Sequence, residues 1–154
     1  MSGRIEARLK ELGIALPTAA APAANYIPYV ITGNLVFVSG QLPFDEGQIR
    51  HKGIVGNEVS IAVGAQAARL CALNLIAQVR TAIGDLDRVA RVVKLNGYIA
   101  SAPTFTEQPK VMNGASDLMV EVFGDPGRHA RAAVGVASLP LGVPVEIDGI
   151  FEMF

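Results

Sequence analysis

The sequence predicts an α+β sandwich, a sheet with two helices packed on one face, and three observations carry that prediction. Two β-branched, aromatic-rich runs are followed in turn by a helix, a strand, a helix and two closing strands. Each helical stretch shows a single apolar stripe, so each has one side to bury. At 154 residues the chain fits one domain, residues 1–154, long enough to bury roughly two thirds of the surface its unfolded form exposes.

Over residues 2–12, Ile5, Leu9 and Leu12 recur near helical spacing and Gly13 offers a stop, which predicts a short surface helix. The stretch LPTAAAPAA, residues 16–24, carries prolines that oppose regular pairing and reads as an extended arm lying on the domain. Strands are predicted over 29–31 and 35–39, joined by Thr32-Gly33-Asn34 as a tight hairpin, with Gly40 at the end of the second. Residues 44–57 are polar and glycine-bearing, hence a loop with a brief strand around 48–50 and a solvated His51. Over 60–83 the stripe Ala68, Cys71, Leu75, Val79 and Ala82 opposes Gln66, Arg69, Asn74, Gln78 and Thr81, a long amphipathic helix closed by Gly84. Cys71 on the apolar stripe reads as an inert core thiol.

Residues 88–100 form a strand apolar on both faces, suited to a central position. A second helix over 109–123 presents Val111, Met112, Ala115, Met119 and Val122 on one side and stops at Gly124. Strands over 132–137 and 145–153 finish the chain, paired as a hairpin through a turn in LPLGVP.

Composition narrows the function classes. Thirteen Lys plus Arg against 14 Asp plus Glu leave a formal charge of −1, no field for a phosphate backbone or an anionic membrane. Apolar residues reach 51% and charged ones only 18%, which leaves less polar surface than a lone chain of this size needs. The excess predicts a subunit interface, with other copies of the chain covering the second sheet face. One cysteine and two histidines, His51 and His129, give neither a disulfide nor a zinc constellation, and no metal is expected. No apolar run approaches the roughly 20 residues of a membrane span, and charges crowd the N-terminus where a signal peptide needs an apolar core; both point to a cytoplasmic protein. No phosphate-binding loop, HExxH or serine elbow is present.

Two charged residues stand out. Arg131 opens an otherwise apolar strand, where a permanent charge is costly unless an anion meets it; the alternative is an arginine snorkelling at a strand end. Glu146 lies in VEIDGIFE, where Val145, Ile147 and Phe151 point one way and Glu146, Asp148 and Glu152 the other. If that second face is buried in an oligomer, the acid belongs to a pocket rather than to a solvated face. A turn centred on Leu141 and Gly142 would pair Arg131 near Glu152 and Glu146 near Ala137, roughly 20 Å apart along the ladder. A single site using both must therefore form between subunits. Tyr26 and Tyr29 could supply a phenol at such a cleft.

ANYIPYVITGNLVFVSGQLP, the long helix, and GRHARAAVGVASLPLGVPVEIDGIFE together resemble the reactive intermediate deaminase family, the Rid or YjgF-type proteins also filed as L-PSP endoribonucleases. The similarity runs from about Tyr26 to the C-terminus. It implies a chorismate-mutase-like α+β fold, a homotrimer with clefts between subunits, no cofactor, and hydrolysis of enamines or imines such as 2-aminoacrylate to 2-keto acids and ammonia. By the same resemblance the carboxylate-binding arginine is Arg131, the site glutamate Glu146, the site tyrosine Tyr26 rather than Tyr29, and the pocket glycine Gly40. Ala133 stands where many members carry cysteine, so only its backbone can serve and thiol chemistry is excluded. Ser116 stands where many carry asparagine, Asn25 where a proline is usual, and the N-terminal helix and the 44–57 loop are additions.

On this reading Arg131 holds a substrate carboxylate by a bidentate pair and Glu146 orients or deprotonates a water that attacks the imine carbon. Two alternatives use the same residues or label: a non-catalytic binder of small carboxylate metabolites, and an endoribonuclease, for which the net charge and the lack of an aromatic-basic platform offer no support.

Overall fold

The computed structural model describes residues 3–21 and 25–154. In chain order the elements are α1 (Arg4–Glu11), β1 (Tyr29–Thr32), β2 (Leu35–Gln41), β3 (Phe44–Asp45), β4 (Gln48–Ile49), α2 (Ile61–Ile83), β5 (Val89–Ala100), α3 (Gln108–Phe123), β6 (Ala130–Val136) and β7 (Val145–Met153). Five strands make one mixed sheet in the order β1-β2-β7-β5-β6, and β3 with β4 forms a separate small hairpin. The mixed α+β sandwich is as the sequence predicts, with the helices on one sheet face.

The closing strands depart from expectation. β6 does not pair with β7; it runs parallel to β5, with Leu95 opposite Arg131 and Gly97 opposite Ala133. β7 instead inserts between β2 and β5, antiparallel to both. The reason lies in α3, a crossover helix that returns the chain to the same end of the sheet and so makes β6 parallel to β5. The LPLGVP segment then carries the chain across the end of β5, where Ala100 N donates to Pro144 O at 2.9 Å.

The core lies between the sheet and the two long helices. Val36, Leu95, Ile99, Ile147 and Phe151 from the sheet meet Cys71, Leu75, Val79, Met112, Ala115 and Met119, all fully buried. α3 approaches α2 closely because Gly114 has no side chain: a Cβ there would collide with the backbone carbonyl of Ala65. Ser60 caps α2, its hydroxyl accepting from Val63 N at 3.1 Å, and Gly84 ends it with φ +83°.

α2 is more enclosed than its stripe suggests. At 23 residues, with a stretch of mean hydropathy 1.2, it is long and apolar enough to cross a membrane, contrary to the expectation that no run came close; 56% of that stretch is buried inside the fold. Asn74 and Gln78, read from the sequence as outward-facing, are buried as well. Asn74 Nδ2 reaches the carbonyls of Leu42 and Phe44, and Gln78 Nε2 donates to Ala20 O at 3.0 Å. The arm and the β3–β4 hairpin cover this second side of the helix, and their carbonyls there are met by those amide donors. Residues 44–57 are thus partly ordered by a hairpin where a loop with one brief strand was expected. Residues 2 and 22–24 of the predicted helix and arm lie outside the described residues.

α1 is not merely a surface helix, since Ile5 and Leu9 are 2% exposed and join the core. Its N-cap, Gly3, has no side chain to give; the carboxylate of Asp87, just before β5, accepts from Arg4 N and Ile5 N at 2.8 Å each. Those two N–H groups, Ile5 first, hold the Asp87 carboxyl below its ordinary value. A lowered carboxylate value stabilises the fold above the unfolded value of about 4 and is lost as pH falls through the folded one. Asp87→Ala should speed amide exchange across α1 by about five- to tenfold at pH 7, the size of one lost cap, with little difference from wild type in acid below the folded value. Equal exchange rates at pH 7 would remove Asp87 as the cap.

Candidate functional site

The residues singled out by sequence fall into two groups, one on each side of the sheet. Glu146 pairs across β5 with Tyr98, while Arg131 pairs with Leu95, three residues away on the same strand and therefore on the opposite face. Leu95 is fully buried toward the helices, so Arg131 shares the helix side at the β6 edge and Glu146 the open side. One protomer does not bring the two together. The sequence reached that conclusion from a hairpin that does not exist; the strand between them is β5.

On the open face a β-bulge interrupts the β2–β7 ladder between Val38 and Gln41, and Gly40 sits in it. The Glu146 carboxylate lies over Gly40, where a Cβ would collide with it. Ser39 stitches the preceding segment to this point, its N–H donating to Pro28 O and its hydroxyl to Ile27 O, both at 2.9 Å. That brings Tyr26, half exposed, to the same end of β2 as Gly40. Tyr29 is instead paired in β1 against Val38 and packs on the core.

Beside Glu146, Asp148 accepts from Asn96 Nδ2 at 2.7 Å and from the Tyr98 hydroxyl at 3.1 Å. Burial, and then the Asp148 charge, push the Glu146 carboxyl up from its ordinary value. Burial followed by Asp148 also raises the Tyr98 phenol. Glu146 is thus a partly desolvated carboxylate that keeps its proton to a higher pH than an exposed glutamate does. Asp148 and Tyr98 were not picked out as site residues; Asp148 shares the alternating face of β7 with Glu146, whereas Tyr98 reaches it only through the β5–β7 pairing.

At the β6 edge the guanidinium of Arg131 lies across α3. Its Nη1 donates to Asn113 Oδ1 at 2.9 Å and to Ser116 Oγ at 3.0 Å, and its Nη2 to Pro109 O at 3.4 Å. All three acceptors are neutral, and among the described residues no carboxylate lies within ion-pair distance of it. The anion expected beside Arg131 is therefore not supplied by this chain's described residues. An arginine has five N–H donors, so Nε–H and one Nη2–H remain, the edge that grips a carboxylate bidentately. Asn113 was missed by the sequence reading, although it stands three residues before Ser116 and hence on the same helix face. Ala133 follows Arg131 on the same side of β6 and presents only backbone polar groups.

His129, placed by no motif, hydrogen-bonds Ser116, with Nε2 2.9 Å from Oγ. His51 is half-buried in the loop after β4 rather than fully solvated. Cys71 is completely buried; burial, then Glu146, raise its thiol well above the usual range, which leaves it unreactive. Among the described residues no three His, Cys, Asp or Glu side chains converge to hold a metal ion. A cavity of about 570 Å³ between the arm, the β3–β4 hairpin and α2 is lined by Leu16, Phe44, Leu73 and Asn74 and touches none of the candidate residues.

Residues 6–147 match the family described as YjgF/chorismate_mutase-like, putative endoribonuclease. The chain belongs to the YjgF/Rid family. It is 54% identical over 153 residues to protein TCP17 of Trypanosoma cruzi, covering 99% of this chain and 96% of that one. The crystal structure of protein Atu1372 from Agrobacterium tumefaciens superposes with a TM-score of 0.91 at 56% identity, covering 97% of this chain and 92% of the other. A 2-iminobutanoate/2-iminopropanoate deaminase of Dermatophagoides farinae is 31% identical over 137 residues, 89% of this chain and 92% of that protein. The family thus includes both deaminases and proteins labelled endoribonucleases, and the fold of this YjgF/Rid protein is the family's.

Because Asp148 raises Glu146, Asp148→Asn should move the Glu146 carboxyl down toward its ordinary value while burial keeps it from reaching it. A carbon-detected NMR titration of the Glu146 side chain reads this directly; an unchanged or higher midpoint would remove Asp148 as the cause.

Proposed function

We propose that this YjgF/Rid protein is a homotrimeric enamine/imine deaminase that hydrolyses small 2-aminoacrylate-like intermediates to 2-keto acids and ammonia in clefts between subunits. One observation carries the reading: Arg131 is a cation held by neutral acceptors, with its bidentate edge unmatched. A small carboxylate supplies the missing charge, and the similarity to a 2-iminobutanoate/2-iminopropanoate deaminase supports an α-imino acid as its source.

The separation of Arg131 from Glu146 and the open sheet face support assembly with other copies of the chain, and the resemblance to the family supports three as their number. Val30, Phe37 and Val134 are 48%, 40% and 46% exposed there, an apolar surface that a neighbouring copy would cover. Such a neighbour brings its own Glu146 and Tyr26 to the Arg131 of the first chain. Arg131 fixes the carboxylate and with it the imine carbon. An enamine first shifts a proton from nitrogen to its terminal carbon to become the imine. Glu146, as carboxylate, takes a proton from a water that attacks the imine carbon and returns it to the nitrogen, giving a carbinolamine. The carbinolamine's hydroxyl proton then passes to the nitrogen as the C–N bond breaks, so that ammonia and the keto acid leave and Glu146 is again a carboxylate.

Arg131→Ala should lower kcat/KM on enzymatically generated 2-iminobutanoate by at least about a hundredfold, and Glu146→Gln by about a hundred- to ten-thousandfold, the range for one general base. Sedimentation of both variants should give the mass of three chains, as for wild type. Wild-type turnover by either variant, or a monomeric wild type, would overturn the proposal. Since Glu146 works ionised and its carboxyl is raised, the rate should fall with acid at a pH above the ordinary glutamate value. Gly40→Ala, which forces the Glu146 carboxylate aside, should cost turnover with less than about 1 kcal/mol of stability, because only a flexible side-chain end must move.

A further inference from the structure

Arg131 is aimed by a chain of hydrogen bonds that begins at a backbone carbonyl. His129 Nδ1 lies 2.7 Å from Gly127 O, and His129 Nε2 lies 2.9 Å from Ser116 Oγ, itself 3.0 Å from Arg131 Nη1. The carbonyl can only accept, so Nδ1 carries the proton. In a neutral ring Nε2 is then the acceptor, and Ser116 must donate its single hydroxyl proton to it. The direction of the chain is fixed: both Ser116 lone pairs are left for other donors, and one of them faces Arg131. Burial lowers the His129 ring below the usual histidine value; the hydrogen bond to Gly127 O works against this and the charge of Arg131 adds to it, and the net direction favours the neutral ring.

Resting on the deaminase reading of the Arg131 edge, we propose that His129 is a positioning residue that orients the Arg131 guanidinium for a substrate carboxylate by fixing the proton of Ser116. With Nη1 held between Ser116 and Asn113, the plane of the guanidinium is set and the Nε–Nη2 edge is presented in one orientation. Without an acceptor at Nε2 the Ser116 hydroxyl rotates freely, and in part of its rotamers its hydrogen opposes the Nη1–H. Arg131 keeps its charge but loses its fixed aim. The guanidinium and its carboxylate partner are kept and only the precision of their alignment is lost, so most of the effect falls on binding and little on the chemical step.

The test measures 2-ketobutyrate affinity by calorimetry and KM and kcat on 2-iminobutanoate for wild type, His129→Leu, His129→Gln, Ser116→Ala and the Leu/Ala double variant. His129→Leu should weaken binding and raise KM by about tenfold, the effect of one hydrogen bond to a charged group, with kcat moving less than about twofold. His129→Gln, whose amide oxygen can accept from Ser116, should restore affinity to within about twofold of wild type. Ser116→Ala should weaken binding as much as His129→Leu, and the double variant no more than either, because both break one chain. Nitrogen NMR of the wild-type ring should show the Nδ1–H tautomer. Unchanged affinity in His129→Leu, no rescue by Gln, additive losses, or an Nε2–H tautomer would each overturn the role of His129. Arg131→Ala separates the two readings: full affinity in that variant, or no 2-ketobutyrate binding by wild type, overturns the deaminase reading itself. Lost affinity there with intact affinity in His129→Leu overturns only the positioning role.

Discussion

The parallel pairing of β5 with β6 is the constraint on which the candidate site depends. It places β6 at a sheet edge, with Arg131 turned toward α3, and it leaves β7 to carry Glu146 two strands away on the other face. A guanidinium in the sheet interior would need a carboxylate beside it; at the edge, a serine, an asparagine and a main-chain oxygen suffice to hold it without cancelling its charge. The fold thereby keeps a cation and a carboxylate in one polypeptide and prevents them from neutralising each other. Each stays available for a partner from outside its own chain.

Glycines tune that arrangement at two points. Gly114 lets α3 settle close on α2, which sets the level at which Asn113 and Ser116 meet β6. Gly40, within the bulge, opens the room into which the Glu146 side chain folds. Both act through the absence of a Cβ, so the surroundings of Arg131 and Glu146 are shaped by side chains that are not there as much as by those that are.

Much of this was legible in the sequence, and the failures have physical causes. The apolar stripes of α2 and α3 and the alternation of β7 gave the elements and the core, because burial on one side leaves a period in the chain. The partner of β6 was not legible: two adjacent strands with a turn between them suit a hairpin locally, and only the crossover made by α3 decides otherwise. Asn74 and Gln78 were misread because a helix covered on two sides hides amides as well as leucines when main-chain carbonyls need donors. Arg131 and Glu146 drew attention as charges in apolar strands. Asn113, His129 and Asp148 did not, since neutral or surface-type residues at ordinary positions carry no signal until the groups they touch are known.

The capping of α1 has a consequence for the order in which the molecule is made. An eight-residue helix is too short to persist alone in water, and the carboxylate that answers its first N–H groups is 83 positions downstream. During synthesis the first turn of α1 must therefore wait, unformed, until Asp87 has left the ribosome. Residues 4–11 are locked into place only by a residue translated long after them.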